Sequence, residues 1–301
     1  MRLSQSGNAL IKKTASLVIS AMACTLAFGL LPSPSVATTA QASNDLRNKA
    51  SNDIAVSLNG KFTQGALLRG QAPVESKVFL NGKPVPTNKD GKFVVGFERE
   101  APLQQTLTVE YGGGKTWQRE ITLEKREYNI QRIDGLAQKM VTPPAEVTAR
   151  IKQDNINVAN ARSVNSDLDA LFTRFEWPAK GVISGVYGSQ RILNGVPKWP
   201  HYGLDFAAKE GVRIKAMLDG IVTLAKPDLY YTGGTLMFDH GHGISTIYLH
   251  MQKLLVKKGQ KIKQGDVIGT VGSTGRATGA HLDVRLNWFQ TRLDPETALP
   301  N

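Results

Sequence analysis

The stretch KGQKIKQGDVIGTVGSTGRATGAHLDVRLNWF (residues 258–289) sets the fold class. Short apolar runs such as DVIGTVG (266–272) and HLDVRLNWF (281–289) alternate with glycine-rich turns, and no helical period runs through them. Outward from it the pattern repeats. GIVTLAKP (220–227), GTLMFDHG (234–241) and STIYLHM (245–251) are further strand candidates, so the chain from Trp177 onward reads as an antiparallel β-domain. Upstream, KVFLNGK (77–83), GKFVVGF (91–97) and TLTVEYG (106–112) alternate in the same way, with Asn81-Gly82 and Asp90-Gly91 as turn signals. Residues 53–125 are expected to form an immunoglobulin-like β-sandwich. Between the two, residues 126–176 are expected to form a helical connector. It is entered at Pro143-Pro144 and carries a loose stripe of Val147, Ile151, Ile156 and Ala159. The expected fold class is therefore all-β: sandwich, connecting helix, antiparallel β-domain.

The first 42 residues are of another kind. Arg2, Lys12 and Lys13 lead, Ala15 to Leu31 carries no charge, and Ala40-Gln41-Ala42 fits a small-residue cleavage pattern. This is the pattern of a secretory signal peptide, followed by a polar linker over 43–52. The expected location is periplasmic or secreted, within the cell envelope, with a membrane contact only if the segment is uncleaved. The single Cys24 lies in the apolar run, so no intramolecular disulfide and no cysteine-based zinc site is available. The chain carries +12, and the three leader cations leave +9 on the remainder. Such a charge suits a polyanion. No segment has the interleaved basic and aromatic residues of a nucleic-acid reader, so no nucleic-acid partner is expected.

All five histidines fall within residues 201–281. His201 and Asp205 stand four apart in HYGLD. His281 and Asp283 stand two apart on a strand, which places them on one face. His250 ends the strand STIYLH. Imidazoles and carboxylates in such a cluster are the donors of a hydrolytic zinc, with remaining imidazoles free to move protons. His240 and His242, in DHGHG at a strand-to-turn junction, are expected to be structural or solvent-facing.

HYGLDFAA (201–208), DHGHGISTIYLHM (239–251) and residues 258–289 together resemble the lysostaphin/LytM-type family of murein zinc metallo-endopeptidases. The resemblance covers roughly residues 177–297. It implies a small antiparallel β-domain with an open groove, Zn2+ as cofactor, peptidoglycan as substrate, and hydrolysis of peptide bonds in its stems or cross-links. It implies His201 and Asp205 as metal ligands, and His250 and His281 as general base and oxyanion partner. The third ligand position holds Asp283, where most members have histidine. A carboxylate can bind zinc, but two of them reduce the ion's charge and its acidifying effect on water. Some relatives have lost zinc and activate cell-wall amidases, so the alternative is a non-catalytic relative that binds wall or activates an amidase. VKKGQKIKQGDVIG also has the look of a lipoyl-carrier hairpin, which would have no use for the upstream HxxxD. GSTGR (272–276) lacks the lysine of a phosphate loop and reads as a tight turn. Tyr202, Tyr230, Tyr231 and Arg276 are groove-lining candidates.

Overall fold

A computed structural model describes residues 54–135 and 145–300. The leader 1–42, the linker 43–52 and the proline pair at 143–144 lie outside the described residues. Seven strands come first: β1 (Ser57–Asn59), β2 (Leu67–Gln71), β3 (Lys77–Leu80), β4 (Lys83–Val85), β5 (Lys92–Gly96), β6 (Gln104–Tyr111) and β7 (Lys115–Thr122). They form two antiparallel sheets, ordered β1-β2-β5 and β4-β3-β6-β7. Leu68, Phe93, Val95, Leu107, Val109 and Ile121 close the core between them. The chain switches sheets between β2 and β3, between β4 and β5 and between β5 and β6, an immunoglobulin-like arrangement. Asn81 (φ 50°) and Gly82 (φ 74°) make the β3–β4 turn, both left-handed, as a two-residue hairpin with right-handed strand twist requires.

The connector is less helical than its length suggests. It opens with β8 (Ile130–Ile133), and its helix, α1, spans only Thr148–Arg162. Ser163 to Asn165 end it: Asn165 Oδ1 accepts from the Gly243 N–H, and the Ser166 N–H donates to Asp239 Oδ2, so this segment is anchored through side-chain partners. The expected stripe is also displaced. Ile156 is 42% exposed, and α1 instead packs through Val158 and Ala161. Two polar anchors choose that face. Asp154 Oδ2 accepts from the Tyr230 N–H at 2.8 Å, and Arg150 pairs with Asp228 at 2.7 Å.

Thirteen strands follow. They are β9 (Val182–Gly185), β10 (Gln190–Leu193), β11 (Val196–Pro197), β12 (Leu204–Ala207), β13 (Arg213–Lys215), β14 (Gly220–Leu229) and β15 (Gly233–Asp239). After these come β16 (Ile244–Met251), β17 (Lys253–Leu254), β18 (Lys261–Ile262), β19 (Val267–Thr270), β20 (His281–Trp288) and β21 (Thr291–Leu293). The main sheet is ordered β18-β14-β15-β16-β20-β12-β9, with β21 paired to β20 beyond β12. β8 lies parallel to β10, and β13-β19-β17 form a small separate sheet.

Register assigns the two faces of the main sheet. Leu236, Tyr248, Val284 and Leu204 are directly opposite one another across successive strands and enter the large core. Leu67 and Val94 of the sandwich join that same core. Arg126 of the connector pairs with buried Asp294 at 2.6 Å, tying the sandwich end to the chain's last turn. Leu224, Met237, Ile247 and Arg285 are likewise opposite one another, on the other face. There α1 covers the apolar half with Val158 and Ala161. The charged half, on β12 and β20, is left for the site. Among the described residues no helix is long and apolar enough to cross a membrane.

Candidate metal and catalytic site

Asp205 and Asp283 are register partners across β12 and β20, so pleating puts both carboxylates on one face. His201, just before β12, brings Nε2 to 3.1 Å from Asp205 Oδ1 and 3.5 Å from Asp283 Oδ2. One donor atom from each residue lies within 4.8 Å of the others. Donor atoms on a tetrahedral zinc stand about 3.3–3.5 Å apart, so the three fit one small cation. Two glycines admit the carboxylates: a Cβ at Gly185 would overlap Asp205, and a Cβ at Gly203 would overlap Asp283.

The polar bookkeeping supports the same fit. Asp205 Oδ1 is buried and has no hydrogen-bond partner, although an imidazole nitrogen is 3.1 Å away. A buried carboxylate oxygen needs a cation beside it, whether a metal ion or a charged imidazole. In the metal-free protein a proton stands in. Burial opposes charge on His201, but Asp205 and Asp283 outweigh it and raise its pKa to about 10.

All three site imidazoles are oriented alike. His201 Nδ1 donates to the Val186 carbonyl (3.2 Å), His250 Nδ1 to Thr274 (2.8 Å) and His281 Nδ1 to Gly279 (2.9 Å). A carbonyl can only accept, so each ring holds a proton on Nδ1; a neutral ring then has its Nε2 lone pair free, and His201 gains that state when it gives up its second proton. For a ligand this is the outer partner that fixes the ring; for a base it presents the working nitrogen. The His250 and His281 rings lie 4.7 Å apart. Burial is the chief cause of the lowered pKa of His250, with His281 and Arg285 adding to it, which favours the neutral ring. His250 takes φ 61°, unusual for a side-chain-bearing residue, at the point where the β16–β20 ladder ends at Leu249.

Arg285 belongs to the site as well, and the motif reading passed over it. Its Nη2 donates to Asp283 Oδ2 at 2.7 Å, and its Nε reaches both carboxylate oxygens at 3.1 and 3.2 Å. Burial opposes ionisation of Asp283, but Arg285 and then His201 overcome it and hold the carboxyl far below the usual range. The guanidinium also alters the charge balance. Two carboxylates and one guanidinium present a net single negative charge, as one carboxylate with two imidazoles would. The signal was present in the sequence, since Arg285 is two residues from Asp283 on one strand and so shares its face.

His240 and His242 stand apart from the site. His240 is fully buried, bonded to the Asp219 carbonyl (2.6 Å) and Thr246 Oγ1 (2.8 Å), and burial lowers its pKa. His242 bonds Asp169 at 2.9 Å. Of the groove candidates, Arg276 stacks on Tyr231 at 4.2 Å, Tyr230 lies under Arg150 of α1, and Tyr202 lies under Arg292 at 4.8 Å.

Residues 199–295 match the model of Peptidase family M23. Over 144 residues the chain is 38% identical to peptidoglycan DD-endopeptidase ShyA of Vibrio cholerae serotype O1, across 47% of this chain and 32% of that relative. Over 89 residues it is 39% identical to DD-carboxypeptidase/endopeptidase Mpg of Neisseria meningitidis serogroup B, across 29% of this chain and 20% of the relative. The chain thus spans a third or less of the length of these curated relatives. A solved structure assigned to peptidase M23 from Pseudomonas aeruginosa superposes with a TM-score of 0.60 at 27% identity, over 79% of this chain and 95% of that one.

Proposed function

Because residues 199–295 form a Peptidase family M23 domain, we propose that the protein is an exported zinc metallo-endopeptidase acting on peptide bonds of peptidoglycan stems or cross-links. The observation that carries this is the convergence of His201, Asp205 and Asp283, one donor atom from each lying within 4.8 Å of the others in a set that fits one small cation. His201, Asp205 and Asp283 would hold the zinc, which when bound supplies Lewis acidity to the scissile carbonyl and to water. His250, neutral with Nε2 free, takes the proton from the attacking water and returns it to the leaving amine. His281, its Nδ1 anchored on Gly279, is placed to steady negative charge on the carbonyl oxygen. Arg285 holds Asp283 in its ligating pose and offsets the second carboxylate. The relatives named for peptidoglycan endopeptidase activity support the substrate. The leader-like residues 1–42 support export to the periplasm or beyond.

One observation favours a second reading. Arg285 already neutralises Asp283, so the pair satisfies itself without a metal. In that reading the domain binds wall or activates a cell-wall amidase. Metal analysis and digestion of purified wall separate the two. The peptidase holds about one zinc per chain, loses it in Asp205→Ala and releases peptides unless His281 is replaced by alanine. A zinc-free protein that releases nothing alone but stimulates an amidase is the second reading.

A further inference from the structure

Three arginines converge beyond the metal site, on the same side of the sheet. Arg285 and Asn287 follow Asp283 at two-residue steps along β20, and Arg292 of β21 is the register partner of Asn287. All four therefore share the face that bears the site. Arg162, the last residue of α1, reaches the same place from the helix: its Nη1 donates to Gln290 Oε1, in the β20–β21 turn. Arg162 is only 8% exposed, and its Nε is buried with no hydrogen-bond partner. Arg285 is matched by Asp283, but neither Arg162 nor Arg292 forms an ion pair with any described residue. Burial, then Arg292 and Arg285, lower the pKa of Arg162 to about 10, and burial with Arg285 lowers that of Arg292. Like charges gathered out of water without a counter-ion are unfavourable unless a ligand supplies one.

We infer that Arg162 and Arg292, with Arg285 between them and the metal site, form a subsite for a carboxylate of the peptide that the enzyme cuts. Guanidinium forks suit a carboxylate's two oxygens. Tyr202 packs against Arg292, with the Arg292 guanidinium 4.8 Å from its ring. Asn287 is four residues along β20 from Asp283, about 13 Å at the rise of a strand. An extended peptide covers that in about four residues, so the recognised carboxylate stands roughly three to four residues from the scissile bond.

This inference rests on the groove being a peptide site, and its test needs no turnover. Wall-derived stem peptides with free carboxylates, and the same peptides amidated, are titrated into the full-length zinc-loaded protein by calorimetry. Wild type is expected to prefer the free carboxylates by about tenfold. Arg292→Gln and Arg162→Gln are expected to reduce that preference to twofold or less while binding of the amidated peptides holds. Arg292 is half-buried on a strand paired along one side only, so Arg292→Gln guards against a folding defect at Arg162. Equal binding of both peptide forms by wild type would overturn the subsite, as would variants that lose both forms alike. Acidic peptides bound selectively but never cut would instead refute the peptidase reading and leave the subsite standing.

Discussion

Two halves of one sheet face differ completely in chemistry. On β16, Ile247 and Leu249 are buried beneath Val158 and Ala161 of α1. Directly opposite them on β20 stand Arg285 and Asp283. One strand spacing, about 4.8 Å, separates a closed apolar contact from a polar constellation. The apolar half fixes where the strands lie. The polar half holds charge and strain, which only a rigid neighbour can keep in place. α1 therefore acts as the site's lateral wall rather than as a spacer between domains.

The sharpest way to break the comparison is to remove function without stability. His281→Ala is expected to lower kcat by about 10²–10⁴ on purified wall while the thermal midpoint stays put. A matching loss of midpoint would show that His281 belongs to the packing. The apolar half should behave in the opposite sense. Leu249→Ala is expected to cost about 2–5 kcal/mol in denaturant unfolding, with zinc still bound below the transition.

Within the polar half, Arg285 makes the third ligand conditional. Asp283→His alone leaves a guanidinium unpaired beside the ion, so zinc affinity by chelator competition should fall about tenfold or more. Adding Arg285→Leu should restore it. If Asp283→His raises affinity in both backgrounds equally, Arg285 and Asp283 are not coupled. The proton on His201 gives a further handle. Its folded pKa, about 10, lies above the unfolded value. The stability it contributes to the metal-free protein is fully present below about pH 6.5 and is lost as pH rises through about 10. Zinc must displace that proton, so affinity should rise about tenfold per pH unit between pH 7 and 9. The smallest effect is at the exposed anchor of α1: Asp228→Asn should cost less than about 1 kcal/mol.

The β-class, and which residues would gather in the candidate site, were legible in the sequence because both obey short periods. His281 and Asp283 alternate along one strand, and His201 precedes Asp205 by a fixed step. His250 followed from its motif rather than from alternation, since its positive φ ends the ladder pattern. Arg285 was legible by the same two-residue step yet went unread, because charge pairs are not part of a ligand motif. Arg162 was not legible at all. It reaches the site only because α1 docks there, and the docking face is set by Asp154 and Arg150, polar residues that blur a hydrophobic stripe. The sandwich strands showed in the alternation of residues 77–112. The sharing of one core by Leu67, Val94 and the main sheet has no local signature.

The central claim is that His201, Asp205 and Asp283 hold one zinc. Anomalous diffraction at the zinc edge from crystals of the full chain tests it directly. A single peak about 2.0–2.2 Å from His201 Nε2, Asp205 Oδ1 and an Asp283 oxygen is the predicted result. Zinc-soaked crystals with no peak there, and with Arg285 still paired to Asp283, would contradict it.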